Sequence, residues 1–190
     1  MLPLVFRLRV DGLDRIPRPP YIIAANHQSW FDTLFIVAVF PAVPMIYTVA
    51  RRETVFSRRW KRWLVPQFGV FPISPDRGQL DEAGLRSVYQ VLNRKGVVLI
   101  FPEGRYSRGR ALLPLKTGVA HFALQAGVPI CPVALSGLDR LRPFGRVGVS
   151  IGPPIRPAPP GWWSSSQRVL QMVERVRLGI LRAFRRQGPG

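Results

Sequence analysis

The sequence predicts a single α/β domain. It should hold a mixed, mostly parallel sheet flanked by helices, with a basic amphipathic helix at the C-terminal end. Three observations lead there. Short apolar, β-branched runs alternate with longer stretches whose apolar residues recur every three to four positions, the pattern of βαβ units. A length of 190 residues suits one sizeable core, and no second core is legible. The last quarter changes character: a proline-rich stretch leads into one long periodic segment.

In order, residues 21–25 (Tyr-Ile-Ile-Ala-Ala) read as a strand, and 30–40 as a helix. Pro41 to Pro44 form a connection, and 45–50 read as the next strand. Residues 57–65 place Trp60, Trp63 and Leu64 among Arg58, Arg59, Lys61 and Arg62, a short basic amphipathic helix. Residues 69–73 read as a short strand. In 80–93, Leu85, Val88, Val91 and Leu92 keep helical spacing, and Lys95-Gly96 closes the helix. Residues 97–101 are a buried strand, and 115–125 a helix ended by Gly127. Strands follow at 130–135 and 146–151. The segment 153–160 is a proline-rich linker. Residues 164–186 form a long helix with Val169, Val173, Val176, Ile180 and Phe184 on one stripe and arginines mostly off it. The stripe suits packing on the sheet in the first turns and an anionic membrane in the last.

Residues 33–50 carry no charge and are long enough to flag as a membrane span. Pro41 and Pro44 interrupt the stretch near its middle, where proline breaks a helix. It therefore reads as helix, turn and strand, and any membrane contact as peripheral. No signal peptide is evident at the N-terminus. Residues 1–10 carry apolar Leu2, Leu4, Val5, Phe6 and Leu8. The lone cysteine, Cys131, excludes an intramolecular disulfide and sits in an apolar run, so an inert buried thiol is expected.

The charge is unusual. Lys and Arg number 28 against 10 Asp and Glu, a net +18 carried almost wholly by arginine. Arginine's planar fork matches phosphate oxygens, so polyanions are the expected partners: anionic lipid, a phosphorylated co-substrate or nucleic acid.

The chemistry concentrates in two segments. In Asn26-His27-Gln28-Ser29-Trp30-Phe31-Asp32 an imidazole and a carboxylate stand five positions apart at a strand end. On one helix they would diverge by about 140°; across a strand-to-helix turn they can meet. Asp32 then has two compatible readings. It completes a Ser29-x-x-Asp32 capping box, or it holds the tautomer of His27 and balances the imidazolium. The second segment, Phe101-Pro102-Glu103-Gly104, makes a tight turn after a buried strand. Glu103 is either a ligand for substrate hydroxyls or a cation, or a solvated turn residue. No Ser or Cys nucleophile has an activating context, which favours a base acting on a substrate hydroxyl. His121 lies on the apolar helix 115–125 and reads as a core or boundary histidine. No Cys/His cluster has metal-ligand spacing, and no G-x-x-x-x-G-K phosphate loop occurs.

N-H-x-x-x-x-D followed by F-P-E-G resembles the glycerolipid acyltransferases, most closely the 1-acylglycerol-3-phosphate acyltransferases. The resemblance runs over about residues 11–155. Lys116 and Gly118 resemble the family's Lys-x-Gly, and Val128-Pro129-Ile130-Cys131-Pro132-Val133 its V-P-I-x-P-V. Where the family continues Gly-Thr-Arg-Ser, this chain has Gly104-Arg105-Tyr106-Ser107, with the arginine one place early.

The resemblance implies a membrane-associated enzyme that transfers a fatty acyl group to the free hydroxyl of 1-acylglycerol 3-phosphate, giving phosphatidic acid. The donor is acyl-CoA or acyl carrier protein, as co-substrate and without a further cofactor. It implies His27 and Asp32 as the catalytic pair. Arg77, Glu103, Gly104, Arg105, Ser107 and Lys116 would bind substrate, with Arg77 foremost for the acceptor phosphate. Residues 1–155 would form the acyltransferase domain, and 156–190 a linker and helix of the same domain. The expected location is the cytoplasmic face of the cell membrane, peripheral or monotopic, on an anionic surface. Two rival readings are another acceptor, such as glycerol 3-phosphate or a different lysolipid, and a basic nucleic-acid-binding protein. The latter leaves His27, Asp32 and Glu103 unexplained.

Overall fold

The structure, a computed structural model, describes residues 6–51, 69–73, 75–76, 79–80, 82–107, 111–158 and 165–187. The expected basic helix at 57–65, with Trp60 and Trp63, lies outside the described residues. So does Arg77.

The elements are β1 (Arg7–Asp11), a 3-10 turn (Leu13–Arg15), β2 (Tyr21–Ala25), α1 (Asp32–Val39), β3 (Ile46–Arg51) and β4 (Val70–Ile73). A two-residue hairpin, β5 (Pro75–Asp76) and β6 (Gln79–Leu80), precedes α2 (Glu82–Asn93). Then come β7 (Val97–Ile100), α3 (Gly118–Ala126), β8 (Ile130–Ser136), β9 (Arg146–Ile151) and α4 (Ser165–Arg186). The main sheet has seven strands in the order β1-β9-β8-β2-β7-β3-β4. Every neighbouring pair is parallel except β8 with β9. The mixed, mostly parallel α/β sheet expected from the sequence is present.

Its inner strands are apolar without interruption because both faces are covered: every residue of β2 and of β7 is buried. Successive side chains alternate between two cores. Tyr21, Ile23 and Ala25 join Val97, Leu99, Cys131, Val133 and Leu135 on one face, where Phe35, Ile36 and Phe40 of the α1 segment cover them. Ile22, Ala24, Val98 and Ile100 face the other way, against apolar residues of α2, α3 and α4.

The direction of each crossover explains the division. The β2–α1–β3 connection moves one way along the sheet; β4–α2–β7 and β7–α3–β8 move the other way. Right-handed crossovers in opposite directions lay their helices on opposite faces. Neighbouring strands β2 and β7 therefore send their chains apart, which opens a crevice beyond their carboxyl ends, where ligands bind in such sheets.

Three expectations change. The first strand, β1, was not anticipated: Arg7–Asp11 pairs in parallel with β9 at the sheet edge. The helix expected at 30–40 begins at Asp32, because Trp30 and Phe31 lie in a turn closed by Asp32 N–H to Ser29 O. The last turns of α4 are not left for a membrane. Val169, Met172, Val176, Ile180 and Ala183 are all buried, so the apolar stripe packs on the sheet along its length. Gly179 permits this approach, since a Cβ there would stand 3.0 Å from Pro132 of β8. The uncharged stretch 33–50 is helix, connection and strand, and no helix among the described residues is long and apolar enough to cross a membrane.

Candidate active site

The crevice beyond β2 and β7 holds His27, two residues past β2, and Phe101, immediately past β7. The turn after β2 brings His27 and Asp32 together. His27 Nδ1 lies 2.7 Å from Asp32 Oδ2. Asp32 is fully buried, while the His27 side chain keeps 19% of its surface exposed. The carboxylate also fixes the turn: Oδ2 accepts the backbone N–H of Gln28 at 2.6 Å and of Ser29 at 2.9 Å, and Oδ1 accepts Ser29 Oγ at 3.2 Å. The geometry is compatible with both readings of Asp32, since one oxygen meets the ring and the turn alike. Only half of the capping box forms: Ser29 Oγ accepts from Phe31 N–H, not from Asp32.

The Phe101-Pro102-Glu103-Gly104 turn grips His27 by its backbone. His27 N–H donates to Glu103 Oε1 at 2.7 Å, and Leu113 N–H donates to Oε2 at 2.8 Å. His27 O accepts from Ser107 N–H at 2.6 Å and from Ser107 Oγ at 2.9 Å. The imidazole itself lies between two rings. Phe101 stacks on it with centroids 3.9 Å apart, and Tyr106 leans over it at 4.3 Å and 42°. Backbone, ring plane and one ring nitrogen are thus all held, which leaves Nε2 as the nitrogen for proton transfer.

Several expected substrate ligands prove to be braces. Glu103 is only 3% exposed, and both its oxygens accept backbone N–H groups. It neither reaches out to a substrate nor sits solvated. Burial pushes its carboxyl up from the ordinary carboxylate range, an effect the two backbone donors offset in part. Ser107 is buried and committed to His27 O. Gly104 has φ 67° and lies against Lys116; a Cβ there would come within 2.9 Å of Lys116 Cε. Lys116 N–H is anchored to Pro102 O, and its side chain and that of Arg105 are exposed at the same end of the sheet. These two cations remain open to an anionic substrate. His121 is exposed on α3, not a core residue. Cys131 is fully buried, and burial raises its thiol to about 12, so it is inert as expected.

Sequence reasoning missed the tethers of the first motif. Asn26 is 1% exposed and exchanges two hydrogen bonds with the backbone of Leu135. Gln28 accepts from Leu138 N–H at 3.1 Å. A polar residue directly after an apolar inner strand must find such partners, which was the available signal. Tyr106 was noted only as standing where the family carries arginine. Burial and the nearby Asp32 carboxylate raise its phenol, which keeps it a hydrogen-bond donor.

A sequence model described as Acyltransferase matches residues 7–136. The chain belongs to the acyltransferase family. It is 32% identical over 192 residues to the human 1-acyl-sn-glycerol-3-phosphate acyltransferase alpha, covering 94% of this chain and 64% of that protein. It is 35% identical over 146 residues to the Escherichia coli 1-acyl-sn-glycerol-3-phosphate acyltransferase, covering 70% of this chain and 56% of that one. The chain spans less than two thirds of the length of these curated relatives. Its fold matches the crystal structure of the 1-acyl-sn-glycerophosphate (LPA) acyltransferase PlsC from Thermotoga maritima with a TM-score of 0.70. That match has 24% identity and covers 92% of this chain and 71% of the other.

Proposed function

We propose that this acyltransferase moves a fatty acyl group from a thioester to the free hydroxyl of 1-acylglycerol 3-phosphate, giving phosphatidic acid. The thioester is carried by coenzyme A or acyl carrier protein. The observation that carries the reading is the His27 Nδ1–Asp32 Oδ2 contact of 2.7 Å in a crevice at the carboxyl ends of parallel strands. The names of the relatives support this choice of acceptor.

His27 Nε2 takes the proton of the acceptor hydroxyl as its oxygen attacks the thioester carbonyl. The Asp32 carboxylate, already hydrogen-bonded to the ring, stabilises the imidazolium. The tetrahedral intermediate collapses by breaking the carbon–sulfur bond. The thiolate leaves and takes up the proton from His27, which restores the base. A thiolate is a good leaving group, so the demand for acid assistance is small. Arg105 and Lys116 supply positive charge for the acceptor phosphate. With +18 net charge, the chain would work at the anionic cytoplasmic face of the membrane as a peripheral protein.

A second acceptor class has one observation in its favour. Tyr106, not an arginine, leans on His27. A neutral phenol there suits a lysolipid whose head group offers hydrogen-bond acceptors besides phosphate.

The test is transfer from labelled acyl-CoA and acyl carrier protein to 1-acylglycerol 3-phosphate, glycerol 3-phosphate and a panel of lysolipids. Phosphatidic acid should dominate, and His27→Ala should lower turnover by about 10²–10⁴-fold with an unchanged circular-dichroism spectrum. Near-normal turnover by His27→Ala removes the proposed base. Tight RNA binding without any transfer would favour the nucleic-acid reading instead.

A further inference from the structure

The two faces of the sheet are unequally covered. Among the described residues, α2, α3 and α4 lie on one face, while α1, a single eight-residue helix, stands on the other. α1 is apolar all round. Its inner side buries Asp32, Phe35 and Ile36. Its outer side, with the turn before it and the connection after it, exposes Trp30 (43%), Phe31 (45%), Leu34 (42%), Val37 (39%), Val43 (84%) and Met45 (49%). Of eleven large hydrophobic residues exposed among the described residues, these six fall within one sixteen-residue stretch. Chance scatter does not concentrate them so, and a helix apolar on every side belongs against an apolar phase.

What covers this face is indicated by charge and by continuity with the site. No charged residue occurs from Thr33 to Ala50. Exposed cations occur over much of the rest of the described surface, and four of them, Arg105, Lys116, Arg140 and Arg142, stand at the site end of the sheet with Asp139 among them. Phe144, 72% exposed, lies in the same β8–β9 loop as Arg140 and Arg142. That loop reaches the first motif through the Leu138–Gln28 hydrogen bond. An apolar face bordered by arginine matches a bilayer with acidic head groups. A second copy of the chain fits poorly, since two bodies of +18 repel.

We propose that the outer face of α1 lies on an anionic lipid bilayer, so that a lipid acceptor passes from the membrane plane into the crevice at His27. The acceptor part of this inference rests on the function proposed above; the membrane-contacting face does not. Trp30 and Phe31 follow the His27 turn directly, so an acyl chain can stay in apolar surroundings while its hydroxyl approaches the imidazole.

The test uses vesicles of equimolar phosphatidylcholine and phosphatidylglycerol and is read without substrate. The double variant Leu34→Glu/Val37→Glu should lower partitioning onto these vesicles at least about tenfold. Leu170→Glu, on α4 and 62% exposed, should leave it unchanged. Because Cys131 is buried, a Val43→Cys protein takes a fluorophore at one site, and brominated acyl chains should quench it. Circular dichroism should be unchanged in all three. The double variant should retain turnover on a monomeric short-chain lysolipid. Equal partitioning of Leu34→Glu/Val37→Glu and the parent protein overturns the proposal. So does an unquenched label at position 43, or a dimer in sedimentation that the double variant dissociates. Vesicle binding through α1 without transfer to any lysolipid would sink the function and leave the surface standing.

Discussion

Replacing Asp32 by Asn separates the two tasks that one buried carboxylate performs. Oδ2 accepts from His27 Nδ1 and from the backbone N–H groups of Gln28 and Ser29, while Oδ1 accepts from Ser29 Oγ. An asparagine oxygen in the place of Oδ2 can keep the three N–H donors, and its NH2 can donate to Ser29 Oγ. The geometry survives and the charge does not. A hydrogen bond to an ion contributes about 1.5–3 kcal/mol against about 0.5–1.5 for a neutral one. The stability loss should therefore be about 1–3 kcal/mol. Catalysis loses more. An imidazolium about 4 Å from a carboxylate gains about 4 kcal/mol at an effective dielectric constant of 20. Losing that in the transition state alone lowers turnover by about 10³-fold. Asp32→Ala is a poorer probe. It leaves two backbone N–H groups without an acceptor at about 1–3 kcal/mol each, a large share of the roughly 5–15 kcal/mol that holds a domain together. The assay pairs urea unfolding with turnover of labelled thioester by the purified variants. If Asp32→Asn turns over within about threefold of the parent while Asp32→Ala is merely less stable, Asp32 is only a cap, and the base assigned to His27 works without it.

Two further outcomes follow from the same contacts. Glu103→Gln can keep one acceptor but turns an NH2 toward a backbone N–H of His27 or Leu113, so it should lower stability by about 1–3 kcal/mol. Turnover should fall through displacement of His27 with little change in the KM for the acceptor; a selective rise in that KM would return Glu103 to a substrate-binding role. Cys131, raised to about 12 by burial, should not react with a disulfide reagent at about pH 8.5, where a free thiol is half ionised. One thiol per chain should appear on unfolding in guanidinium, and fast labelling of the native protein would contradict the packed face beneath α1.

Much of the fold was legible because the inner strands are apolar throughout and the helices keep their period. Tyr21-Ile22-Ile23-Ala24-Ala25 and Val97-Val98-Leu99-Ile100 declare buried strands whatever surrounds them. β1 was not legible, since Arg7-Leu8-Arg9-Val10-Asp11 has the mixed character of an edge, and only its partner β9 makes it a strand. The start of α1 was misplaced because Trp30 and Phe31 favour burial. In the structure the carboxylate of Asp32 holds the preceding backbone in a turn and so delays the helix.

The site divides along the same line. His27 and Asp32 could be paired from their spacing because a strand end followed by a helix start leaves few ways to place a carboxylate five residues on. The roles of Glu103 and Ser107 could not be read, because a carboxylate after a strand looks alike whether it faces substrate or another loop. The separation in sequence hides the decisive fact: His27 and Glu103 stand 76 positions apart, yet the neighbouring positions of β2 and β7 make their turns adjacent. Phe-Pro-Glu-Gly then does for the backbone of His27 what Asp32 does for its ring. Two motifs that read as a catalytic pair and a separate set of substrate ligands are, on these contacts, one device for holding an imidazole still. Under the proposed function, the phosphate-binding task would fall on the exposed cations Arg105 and Lys116.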